Sequence, residues 1–108
     1  MPNDAQLILC TCPDRETAEK IAHRLVESRL AACVNILPGL TSIYTWENRL
    51  ETAEEHLLLI KTAGGRYPDV EQSIREQHPY DLPEIIALPI ARGLPGYLNW
   101  IDACVSTD

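Results

Sequence analysis

Two cysteines stand two residues apart near the start of the chain, in Cys10–Thr11–Cys12, and a lone histidine, His78, stands far along it in the stretch EQHPYDLPEI. Thiolate sulfur and imidazole nitrogen are ligands for soft and borderline metals, Cu(I) and zinc among them. Alternate side chains of a strand point the same way, so both sulfurs share one face. The same pair would serve equally as small apolar core residues, and a closed zinc site needs four ligands where this motif supplies two. His78 ends an amphipathic run and precedes Pro79. Pro79 and Pro83 forbid helix beyond it and stiffen the corner. An imidazole there would be aimed in a fixed direction as a ligand, or would bond the last carbonyls of the helix. Spacing alone does not choose. Cys33 and Cys104 read as core residues. His23 and His56 have no ligand-type neighbour adjacent in sequence and read as structural or surface groups.

A second constellation involves Lys61, which interrupts the apolar alternation of TAEEHLLLIKT. A buried lysine needs a partner, and Glu84, just past the stiff turn, is the candidate. Tyr44 and Trp46 share a strand face and would wall a pocket. Two readings stay open: a cleft for a small anionic ligand, or an apolar interface with a satisfied salt bridge. The chain carries no glycine-rich phosphate loop, nucleophile elbow or HExxH helix, so a binding protein is expected rather than an enzyme.

The elements that must position these groups follow from periodicity. Ala5 to Cys12 alternates as a strand and stops at Pro13. From Asp14, a suitable N-cap, the period becomes 3.6, with Ala18, Ile21, Ala22, Leu25 and Val26 on one face. ACVNILPGLTSIYTWE reads as one long strand bent at Pro38–Gly39, because alternation resumes at Leu40. NRLE is expected to turn the chain into a second long strand, Thr52 to Thr62. Both exceed the usual strand length, so the hairpin must overhang a domain of this size and be covered, most simply by another subunit. Gly64–Gly65 break the chain before a helix over 66–78, with Pro68 in its first turn. IIALPI is a strand, and its Pro89 assigns it to a sheet edge. In the last helix, within LPGYLNWIDACV, Tyr97, Trp100, Ile101 and Cys104 share a face.

This order makes two βαβ halves joined by a hairpin, plus a C-terminal helix. That is an α+β, ferredoxin-like (βαββαβ) plan with a four-stranded antiparallel sheet. Its 108 residues make a single domain, 1–108, able to bury one core without staples. Forty-five per cent of residues are apolar and 23% charged, which places the chain among globular domains. A net charge of −7 disfavours nucleic acid and anionic membranes as partners. The opening MPNDAQLILC has no basic or long apolar region. The reading is therefore a cytoplasmic protein with reduced thiols.

Five separated segments, ILCTCPD, LAACVNILPGLTSIYTWENRLE, LLLIKT, HPYDLPEIIALPI and YLNWI, occur together in order. In that combination the chain resembles the CutA family of divalent-cation tolerance proteins. The resemblance implies a homotrimer whose long hairpins pack across subunits, an architecture similar to the PII signalling trimers, and tolerance to copper and other divalent metals. It also implies copper ligands at Cys10 and His78. Gln77 stands where some members carry another histidine. A neutral amide is a poor copper ligand, so the site is expected to be weaker or to use another group. Tyr44, Trp46, Lys61 and Glu84 would then lie at an intersubunit cleft. Cys10 and His78, far apart in sequence, would meet across it.

Overall fold

A computed structural model describes residues 3–107. β1 (Ala5–Cys12) leads into α1 (Arg15–Glu27). A hairpin of β2 (Cys33–Trp46) and β3 (Arg49–Ala63) follows, then a 3₁₀ turn (Gly64–Arg66), α2 (Tyr67–Gln77), β4 (Ile85–Pro89) and α3 (Pro95–Val105). The sheet order is β2-β3-β1-β4, with every neighbouring pair antiparallel. This is the ferredoxin-like arrangement, and β4, which ends at Pro89, occupies an edge.

The local signals operate as their chemistry requires. Asp14 caps α1, its Oδ1 accepting from the Thr17 amide at 2.7 Å. At Pro38–Gly39 the β2–β3 register slips between Leu37 and Leu40, and Gly39 takes φ +79°, open to glycine at little cost. The strand bends there without ending. The hairpin turn is tighter than NRLE suggests. Only Glu47 and Asn48 form it, both with positive φ (52° and 64°), and pairing resumes at Trp46–Arg49. Two consecutive left-handed residues match the twist of the flanking strands, so β3 begins three residues before Thr52.

Ile8, Cys10, Cys12, Leu58 and Ile60 from the sheet pack on Ile21, Leu25, Val70 and Ile74 from α1 and α2. Full burial of each large aliphatic contributes about 1.5–3 kcal/mol. The opposite sheet face carries Leu7, Leu9, Leu57 and Leu59, with Leu37, Ile86 and Leu88 well exposed on it. α3 turns only part of that shared face inward, with Cys104 packed beside Ile101. It buries Ile101 and Val105 against Ala32 and Ala63, leaving Tyr97 and Trp100 half-exposed, their rings 5.4 Å apart. Arg29 and Arg66 fix this orientation by donating to the carbonyls of Ala103, Cys104 and Val105 at the helix end.

β1 reaches only as far along β3 as His56. Residues Arg49 to Glu55 pair with β2 alone, so the hairpin projects beyond the sheet and stretches the chain to 46 Å by 25 Å by 22 Å.

Candidate metal centre

β1 delivers the two thiols. Alternation puts Cys10 and Cys12 on the helix-covered face, where both are fully buried as free cysteines. They therefore belong to the core, as the bland reading holds, and they also meet a third ligand-type residue there. His78 is the C-cap of α2, its amide bonding the Ile74 carbonyl at 2.8 Å. Its backbone is extended (φ −78°, ψ 135°), as Pro79 requires of the residue before it. The helix therefore stops here, and the ring turns inward instead of reaching the helix carbonyls. It is 8% exposed.

The hydrogen bonds of that ring define its tautomer. The Tyr80 amide donates to Nδ1 at 3.2 Å, so the proton sits on Nε2, which donates to the Thr11 carbonyl at 2.8 Å. The Tyr80 ring packs beside it in a tilted arrangement, centroids 4.7 Å apart. Coordination through either nitrogen replaces one of these bonds.

One ligand atom from each of Cys10, Cys12 and His78 lies within 4.8 Å of the others. Metal bonds of about 2.0–2.3 Å bring donors to roughly 3.5–4 Å of one another. Small side-chain rotations would bring the three donor atoms to that spacing. Its two-sulfur, one-nitrogen donor set fits a soft or borderline ion and fits Mg²⁺ or Ca²⁺ poorly. The meeting takes place inside one subunit, which corrects the expectation that Cys10 and His78 meet across a cleft. β4 returns beside β1 with Ile85 opposite Cys10, and the stiff turn ahead of it is carried to the same strand end. Cys12 is the member that sequence spacing did not separate from a core residue. Gln77 does not join, since its Nε2 donates to the Ser73 carbonyl at 3.0 Å.

The thiols are unequal. A hydrogen bond shared with Cys12, with burial added, pushes the Cys10 thiol far above its ordinary value. Cys12, at the other end of that bond, is drawn below its own. An ion bound here would have to displace a tightly held proton from Cys10.

Outside the cluster lies a cavity of about 560 Å³ walled by Tyr44, Trp46, Glu55, Tyr80, Asp81 and Glu84, among others. Tyr44, Trp46 and Glu84 do line one space. Lys61 does not. It pairs in register with Leu7 and Cys33 and donates to Asn35 Oδ1, so Asn35 and not Glu84 satisfies it. The lining holds three carboxylates and no lysine or arginine, which suits a cation and opposes a small anion in the pocket of one subunit. Glu55, buried at 6% exposure, accepts from the Tyr80 hydroxyl at 2.9 Å.

Burial and the Glu55 bond together push the Tyr80 phenol up to about 12. The neutral phenol is thereby favoured in the fold. Its stabilisation is full below the unfolded value of about 10 and is lost as pH rises through about 12. Ultraviolet titration of tyrosinate should show one such late phenol. Glu55→Gln should move it down, because a neutral amide repels the phenolate less. A Tyr80 titration unmoved by that change would mean the bond does not form in solution.

A family model described as CutA1 divalent ion tolerance protein matches residues 6–104. The divalent-cation tolerance protein CutA of Thermus thermophilus is 50% identical over 96 residues, which cover 89% of this chain and 93% of the relative. The protein CutA of Mus musculus is 43% identical over 94% of this chain, but the match spans 57% of that longer relative. The crystal structure of CutA from Xylella fastidiosa superposes with a TM-score of 0.93 at 46% identity, covering 95% of this chain and 99% of that one. With fold and sequence in agreement over nearly its whole length, the chain belongs to the CutA1 divalent ion tolerance family.

Proposed function

We propose that the chain is a cytoplasmic homotrimeric metal-binding protein that serves tolerance to copper and other divalent cations. Cys10, Cys12 and His78 are its ligands. The observation that carries this reading is the meeting of two buried thiols and one imidazole within 4.8 Å inside a single subunit. Cys12 supplies the additional donor that Gln77, as an amide, does not. The acidic outer cavity supports the reading by favouring cations near His78, since Tyr80 both walls that cavity and packs beside the His78 ring. Free buried thiols suit a reducing compartment, where they remain available to metal. On this reading the protein binds and does not catalyse.

The trimer is supported by the uncovered leucine-rich sheet face and by the projecting hairpin, which carries Ile43, Tyr44, Trp46 and Leu50 exposed along it. Apolar surface of this kind marks an interaction surface.

The test is anaerobic titration of the reduced protein against a chromophoric Cu(I) chelator. The protein should withdraw one Cu(I) per chain, and Mg²⁺ or Ca²⁺ in excess should not compete. A chain that leaves the chelator complex intact overturns the copper reading.

A further inference from the structure

The three-residue cluster leaves one neighbouring group unexplained. His56 Nδ1 is buried and has no hydrogen-bond partner among the described residues. Buried polar atoms are paired in the great majority of cases, and an orphan calls for a reason, a bound ion being one. The strand register supplies the position. His56 is the direct antiparallel partner of Cys12, as Leu58 is of Cys10. Directly opposed residues project to the same face with Cβ atoms about 4.5–5.5 Å apart. The unpartnered nitrogen therefore belongs to the side chain facing Cys12 across the ladder, at the open end of the sheet core.

We propose that His56 is a fourth metal ligand, closing a site of Cys10, Cys12, His56 and His78 that takes a four-coordinate divalent ion of the zinc class. His56 lies outside the group of atoms within 4.8 Å, so it enters by rotation of its own side chain. Its Nδ1 has no hydrogen bond to give up. Two sulfurs and two imidazole nitrogens form a tetrahedral set suited to zinc. Cu(I) is well served by fewer soft donors, so His56 should distinguish the divalent ion from copper. The inference rests on the reading of Cys10, Cys12 and His78 as ligands.

Co(II) serves as the spectroscopic probe for zinc. The reduced wild-type protein should give the intense visible bands of tetrahedral cobalt with thiolate charge transfer in the near ultraviolet, and zinc should bleach them. His56→Ala should lose the tetrahedral bands and weaken zinc by at least about 100-fold, the upper end of what even outer partners of a metal site cost. Its Cu(I) affinity should stay within a few-fold of wild type. His56→Gln, and the ring ¹⁵N shift of His56 in the wild-type protein on adding zinc, cover a His56→Ala chain that does not fold. Identical cobalt spectra and zinc affinities in wild type and both variants, or an unmoved Nδ1 resonance, would overturn the role of His56 while leaving the three-ligand site standing. Failure of the wild-type protein to bind either cobalt or Cu(I) would overturn the underlying site as well.

Discussion

Cys10→Ser is expected to lower Cu(I) affinity by at least about 100-fold, the upper end of what even outer-shell partners cost, because it removes a soft sulfur from the centre of the donor set. A serine hydroxyl at the same place is a hard, protonated oxygen that Cu(I) does not favour. The exchange is nearly isosteric, so the fold should persist and the far-ultraviolet circular dichroism should not change. The pH dependence follows from the proton on the thiol. Cys10 is held protonated by its bond to Cys12 and by burial, so copper must displace that proton. Apparent affinity should rise with pH and fall about tenfold per unit of acidification for each proton displaced. Chelator competition at several pH values measures both effects. Equal affinity in Cys10→Ser and wild type, or binding indifferent to pH, would remove Cys10 from the site.

Leu59→Glu should convert the assembled protein to single chains. Leu59 lies on the uncovered sheet face, opposite Leu9 on one side and Asn35 on the other, while its neighbours Leu58 and Ile60 are fully buried in the core. In the monomer the new carboxylate would reach water at modest cost. At an interface made by this face it would be desolvated once in each subunit, and the effective penalty is several kcal/mol per ion. Light scattering should report three chains for the wild-type protein and one for Leu59→Glu at micromolar concentration, with secondary structure retained. A variant that stays assembled would show that this sheet face is not the contact. A wild-type protein that is itself monomeric would defeat the trimer.

The order of elements, the cap at Asp14, the bend at Pro38–Gly39 and the edge position of β4 are legible from residues alone. Each is a local matter of periodicity or of a side chain that restricts its own backbone. The hairpin turn was less legible, because Glu47 and Asn48 lack the glycine that usually announces two left-handed residues. On α3 the face shared by Tyr97, Trp100, Ile101 and Cys104 is inward only in part: Ile101 is buried with Val105 and Cys104 packs beside them, while Tyr97 and Trp100 stay half-exposed. How far that face turns inward is decided by what packs outside the helix, here Arg29, Arg66 and the Ala32–Ala63 surface.

At the candidate metal centre the division is sharper. Sequence by itself determined that Cys10 and Cys12 share a strand face and that a rigid corner follows His78, since both depend on bonds within a few residues. It carried no information that His78 turns onto that strand within one subunit, that Lys61 goes to Asn35, or that Cys12 stands opposite His56. Those facts belong to sheet order and register. Register is selected by the sum of core contacts along whole strands, and a slip of one residue would send His56 to the other face, so no local spacing encodes the partner that a side chain finally meets.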